Sequence, residues 1–147
     1  MKKILVLNGP NLNLLGRRDA TQYGVMTLKA IEEKMVLTAQ ELGVDLAFAQ
    51  SNHEGVLIDQ IHGAIGTYDG IVLNPGAFTH YSIAIRDAID AAGVPTIEVH
   101  LSNIHAREPF RSESVIAPVC IGQVCGLKDK SYTTGLYGLY QYLSDKA

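Results

Sequence analysis

The sequence predicts an α/β domain built on a parallel sheet with helices on both faces, and three observations carry that prediction. Short β-rich runs alternate with helical patterns along the chain. Several of those runs are apolar throughout, as central parallel strands covered on both faces must be. No repeat, low-complexity segment or compositional break divides the 147 residues, so one domain spanning 1–147 is expected.

Taken in order, the first strand is "KILVLN", followed by the long polar segment "NGPNLNLLGRRDATQYG", Asn8 to Gly24. Connections longer than about a dozen residues are usually functional or disordered. Thr27 can N-cap a helix in which Leu28, Ile31, Met35 and Leu42 recur at near-helical spacing, with Gly43 as its left-handed cap. The second strand is "VDLAFAQ", and the spacing predicts a helix over Val56 to Ala64 with Leu57, Ile61 and Ile65 on one stripe. "DGIVLN" is the third strand. A helix from Ser82 through "IAIRDAIDAAG" follows, stopped by Gly93 with Pro95 just after. "PTIEVH" and the short "GQVCG" complete five strands, and a last helix, rich in tyrosine and leucine, is expected from about Thr134 to Ser144. Right-handed crossovers turn this alternation into a doubly wound, flavodoxin-like sheet.

A net charge of −3 with no Lys/Arg cluster gives no footprint for nucleic acid. The apolar run before Asn8 in "MKKILVLNGP" is only the four residues "ILVL", too short for a signal peptide or membrane span, so a cytoplasmic protein without a membrane partner is expected. Cys120 and Cys125 in "CIGQVC" form neither a redox nor a zinc pattern and read as small buried apolar residues.

Ligands of such sheets bind outside the carboxyl ends of the strands, and those ends are polar here: "NGPN", "NPGAFTH" and "EVHLSN". A single strand-exit asparagine is ordinary turn chemistry, but two of them beside a Glu-x-His favour a shared pocket. Phosphate-loop, dinucleotide and nucleophile-elbow motifs are missing, and His53, His62, His80, His100 and His105 show no metal-ligand spacing. Acid–base chemistry with no cofactor and no metal remains.

Glu98 lies two residues before His100 on the same strand face, where a carboxylate fixes the imidazole tautomer and favours its charged form, suiting a general acid. A core histidine satisfied by a backbone carbonyl is an equal alternative for His100 taken alone. Tyr23 is the more demanding candidate, because a phenol titrates near 10. A guanidinium about 4 Å away supplies at most about 4 kcal/mol at an effective dielectric of 20, and Arg17 and Arg18 are both on the loop. From the loop alone, solvated arginines and a tyrosine covering the loop base are the better account. Arg107 and Arg111 in "LSNIHAREPFR", with the Leu101 and Ser102 amides, make either a carboxylate site or a solvated surface.

The set "NGPNLNLLGRR....YG", "QSNHEG", "LNPGAFTHYSIAIRDA" and "IEVHLSNIHAREPFR" strongly resembles the type II 3-dehydroquinate dehydratases, in register from Lys3 to Leu127. The resemblance implies a hydro-lyase of the shikimate route to aromatic amino acids. Its reaction is the reversible anti elimination of water from 3-dehydroquinate to 3-dehydroshikimate through an enolate. It further implies Tyr23 as proton acceptor, His100 as proton donor oriented by Glu98, and Arg17, rather than Arg18, as the arginine that lowers the Tyr23 pKa. Asn11 would hold the enolate water. Asn74, His80, Leu101, Ser102 and Arg111 would contact substrate, with Asp87 donated across a trimer interface of a dodecamer. A non-catalytic flavodoxin-like module binding a flavin or small acid is the alternative. Two departures stand out. Asp19-Ala20 replaces the usual Glu-Pro of the loop, which frees its backbone, and "GLKDKSYTTGLYGL" is more polar than the usual C-terminal segment, which leaves the start of the last helix open.

Overall fold

The computed structural model describes residues 1–145. Strands β1 (Lys3–Asn8), β2 (Asp45–Gln50), β3 (Gly70–Asn74), β4 (Thr96–His100) and β5 (Gly122–Cys125) form one all-parallel sheet in the order β2-β1-β3-β4-β5. The chain winds outward from β1 first to one side and then, from β3, to the other. The loops leaving β1 and β3 therefore diverge and open a crevice between them.

Side chains alternate across the pleat, so each strand feeds two cores. Ile4, Val6, Val72, Ile97 and Val99 pack under α2 (Leu28–Leu42) and α5 (Lys130–Asp145), while Leu5, Leu7, Ile71 and Leu73 pack under α3 (Glu54–Gly63) and α4 (Ile83–Ala92). Thr27 Oγ1 accepts from the Ala30 amide at 3.2 Å to start α2, and Gly43, at φ 72°, ends it. Ser82 caps α4 in the same way, its Oγ accepting from the Ile85 amide at 3.0 Å, and Gly93 closes it at φ 67°.

Four expectations change. Helix α3 begins at Glu54 and ends at Gly63, so Leu57 and Ile61 are fully buried but Ile65 lies past the helix end and is exposed. The loop after β1 contains a helical turn, α1 (Ala20–Tyr23), with Asp19 Oδ1 accepting from the Thr21 amide at 2.9 Å. Helix α5 starts four residues earlier than its apolar pattern suggests. The polar "KDKS" is spent on the turn that leads into it and on its first two residues, where Ser131 Oγ accepts from the Leu127 amide and the Lys130 amide bonds the Leu127 carbonyl. Both cysteines are partly, not fully, buried. Burial, with the nearby Glu98 charge, pushes the Cys120 thiol up to about 12 and that of Cys125 to about 11.

Two features fix the crevice. A Cβ on Gly9 would stand 2.6 Å from the Pro75 carbonyl oxygen, so only glycine lets the chain leaving β1 cross the chain leaving β3; the Gly9 amide bonds the Asn74 carbonyl there at 2.8 Å. Below it, the early start of α5 carries Tyr132 into the core at 0% exposure. Its Oη donates to Asn8 Oδ1 at 2.6 Å and accepts from Asn74 Nδ2 at 2.9 Å. Burial raises this phenol above its ordinary range, so it stays a neutral donor. Tyr132→Phe strands an acceptor on Asn8 and a donor on Asn74 in the core. It is expected to cost about 1–3 kcal/mol in urea unfolding, and a loss below a few tenths would show that the relay does not hold the two strand ends.

Candidate active site

The carboxyl ends of β1, β3 and β4 and the loops above them enclose a polar cleft that opens to solvent. Each motif has a place in building it. Gln50 and Asn52, at the exit of β2, hold the loop after β1 from behind: Gln50 Nε2 donates to the Gly9 carbonyl at 3.2 Å, and Asn52 Oδ1 accepts from the Asn11 amide at 3.0 Å. Asn11, kept in the left-handed region at φ 67°, lines the cleft.

On the loop side, Tyr23 Oη accepts two charged hydrogen bonds of 2.8 Å, one from Arg18 Nη2 and one from Arg107 Nη1. The Arg18 guanidinium also lies 3.8 Å above the phenol ring. Two guanidinium groups converge on this one oxygen. The expectation for the arginine pair is therefore reversed. Arg18 reaches Tyr23, whereas Arg17 is exposed and takes no part in lining the cleft. Gly16, at φ 97°, turns the chain just before the pair. Arg107, open between anion site and solvated surface in the sequence, comes from the segment after β4, 84 residues from Tyr23. It also donates to Ser102 Oγ at 3.2 Å.

On the sheet side, His100 is nearly buried at the end of β4, and its Nε2 is paired with Glu98 Oε2. Glu98 is wholly buried. Burial alone would raise its carboxyl, but the His100 hydrogen bond and charge, with hydroxyl donors Thr79 and Ser114, outweigh that and hold it below the ordinary carboxylate value. An ionised carboxylate only accepts, so Nε2 carries a hydrogen and Nδ1 is the His100 nitrogen left for the cleft. His80 is fixed by the same logic. Its Nδ1 lies 2.8 Å from the Glu113 carbonyl, which can only accept, so Nε2 remains for a ligand.

Asn74 presents an amide locked at both ends, Nδ2 to Tyr132 and Oδ1 from the Gly76 amide at 3.1 Å. Leu101, Ser102 and Arg111 line the same cleft, Arg111 bonding Glu108 through Nε at 3.2 Å. Of the residues singled out from the sequence, Asn11, Tyr23, Asn74, His80, His100, Leu101, Ser102 and Arg111 therefore meet in one place. Glu98 stands behind His100. Arg17 does not join them, and Asp87 is exposed on α4 away from the cleft of its own chain. Thr79, Ser114 and Tyr132 support the site with no sequence signal that distinguishes them from ordinary turn and core residues. No group of three or more His, Cys, Asp or Glu side chains suited to a metal occurs among the described residues.

Comparison with known proteins agrees with this geometry. Residues 2–140 match the family model for dehydroquinase class II. The 3-dehydroquinate dehydratase of Bacillus cytotoxicus is 57% identical over 145 residues, covering 99% of each chain. That of Caldicellulosiruptor bescii is 56% identical, covering 97% of this chain and 99% of its own. The crystal structure of type II dehydroquinase from Propionibacterium acnes superposes with a TM-score of 0.91 at 42% identity, covering 96% of this chain and 97% of that one.

One contact holds the loop that carries Tyr23. Lys128, whose amide bonds the Leu101 carbonyl at the β4 exit, sends Nζ to the carbonyls of Thr21 and Gln22, the latter at 3.2 Å. This cation on the carbonyls of α1 ties the loop to the exit of β4. Lys128→Met is expected to speed tryptic cleavage after Arg17 and Arg18 by about three- to tenfold. Adding Ala20→Pro, at the first helical position where proline fits, should reverse that gain. An unchanged cleavage rate in the single variant would remove the tether.

Proposed function

The chain belongs to the class II dehydroquinases, and we propose that its dehydration of 3-dehydroquinate to 3-dehydroshikimate runs between Tyr23 on the loop and His100 on the sheet. The observation that carries this assignment is the pairing of an acceptor and a donor within one cleft. Tyr23 Oη takes two guanidinium hydrogen bonds, and His100 is held through Nε2 by a buried, ionised carboxylate.

In this reading the Tyr23 phenolate removes the proton next to the substrate ketone. Arg18 and Arg107 keep the negative charge on the phenol oxygen until that transfer. Asn11, at the mouth of the cleft, holds a water against the enolate oxygen that forms. His100 Nδ1 then gives its proton to the departing hydroxyl, and the Glu98 carboxylate steadies the imidazolium before that step and the imidazole after it. The Leu101–Ser102 turn and Arg111 take the substrate carboxylate and hydroxyls, with Asn74 and His80 Nε2 fixing the ring. Both proton transfers are general acid–base steps and together need no bond to the protein.

The reading has three further parts: one catalytic domain over 1–147, a cytoplasmic location, and twelve chains assembled from trimers. The match over 2–140 supports the first. Among the described residues no helix is long and apolar enough to cross a membrane, which is compatible with the second. The third follows from the family resemblance, which sets Asp87, exposed on α4 and outside the cleft of its own chain, at a neighbouring chain's site.

Mixing the protein with 3-dehydroquinate and following enone absorbance in the ultraviolet tests the reaction; silence at high enzyme would sink it. Tyr23→Phe and His100→Ala are each expected to lower kcat about 10²- to 10⁴-fold. Arg18→Ala should lower it about a hundredfold while Arg17→Ala stays within about threefold, and equal losses would return Arg17 to the site. Gel filtration at about twelve times the 15.9 kDa chain mass checks the assembly; elution as a monomer with full activity would overturn it.

A further inference from the structure

Ser114 lies outside the cleft, on the segment between Arg111 and β5, yet it makes one of the most constrained contacts in the protein. Its Oγ is 2.9 Å from Glu98 Oε1 and 3.0 Å from Oε2. The same oxygen accepts from the Ile116 amide at 3.2 Å and the Ala117 amide at 3.0 Å. A hydroxyl has one proton and two lone pairs. With both lone pairs taken by amides, the proton must point outward. Thr79 Oγ1, at 2.8 Å, and the Glu98 carboxylate are the acceptors in reach, and the charged one is the stronger.

The direction of each bond around Glu98 follows. Thr79 Oγ1 donates to Oε2 at 2.5 Å, His100 Nε2 also bonds Oε2, and among the described residues Ser114 is the only donor to Oε1. Two amides of a turn thus feed a hydroxyl, the hydroxyl feeds a buried carboxylate, and the carboxylate holds the imidazole. Without Ser114 the Oε1 edge is buried with no donor among the described residues, and the carboxylate is held toward Nε2 through Oε2 alone.

We propose that Ser114 is a positioning residue for proton donation, fixing His100 through Glu98 so that Nδ1 faces the leaving hydroxyl. This rests on the reading of His100 as the acid. Ser114 touches neither the cleft nor the imidazole, so its effect must pass through the carboxylate, and that makes the proposal separable from a general packing role.

The test is a double-mutant cycle on the full chain, with steady-state dehydration of 3-dehydroquinate as one readout and the low-field imidazole N–H proton resonance of His100 as the other. Ser114→Ala is expected to lower kcat about tenfold with KM within about twofold, and Ser114→Thr, which keeps the hydroxyl, to recover most of the loss. In a Glu98→Gln background, where the anion is gone, Ser114→Ala should add less than about a twofold loss. The N–H resonance should move in Ser114→Ala and vanish in Glu98→Gln. Equal losses in both backgrounds, a raised KM at unchanged kcat, or an unmoved resonance would each overturn the role of Ser114. Should the alanine variant not fold, Ser114→Cys, of similar size with a weaker donor, is read in the same cycle by the same criteria. Turnover that survives His100→Ala would instead remove the acid assignment itself, so the two failures are told apart.

Discussion

Glu98 sits at 0% exposure in the middle of β4, and much of the carboxyl end of the sheet is arranged around its charge. An unpaired carboxylate buried to that degree costs several kcal/mol, so the fold has to bring donors to it. They come from three separate stretches of chain: Thr79 after β3, His100 at the end of β4, and Ser114 before β5. Satisfying the anion therefore fixes where three loops meet, and those loops are also walls of the cleft. Stability and chemistry share one constraint here.

The opposite wall is built on another principle. Tyr23 sits on a single helical turn, capped by Asp19 and tethered from outside by Lys128, with no buried side chain in that turn. Its oxygen is held by charge, Arg18 from its own loop and Arg107 from across the cleft, and charged hydrogen bonds of this kind form and break without disturbing a core. In the proposed reaction the acceptor thus stands on a loop turn with no buried side chain and the donor on the rigid sheet, on opposite sides of the cleft.

The two walls are joined beneath the cleft by Tyr132. Its hydroxyl links Asn8 of β1 to Asn74 of β3 across the point where the strand order reverses. A doubly wound sheet opens a crevice there by its winding alone. What keeps that crevice's floor from spreading is a phenol supplied by the last helix and a glycine, Gly9, that lets the two exits touch.

By itself the sequence determined the five strands, the four long helices and the position of the site, because these depend on local periodicity, caps and the run of polar residues at strand ends. It also brought Tyr23, His100, Glu98 and Asn74 into one reading through motifs that hold their spacing. It pointed to Arg17 where the structure sets Arg18 against Tyr23, since adjacent residues on an irregular loop differ only in which way the folded backbone carries them. Nor could it mark Ser114, Tyr132 or Lys128, whose roles come from partners 16, 124 and 107 residues away. A buried polar group takes whatever donor the packed chain presents, and only tertiary structure decides which residue that is.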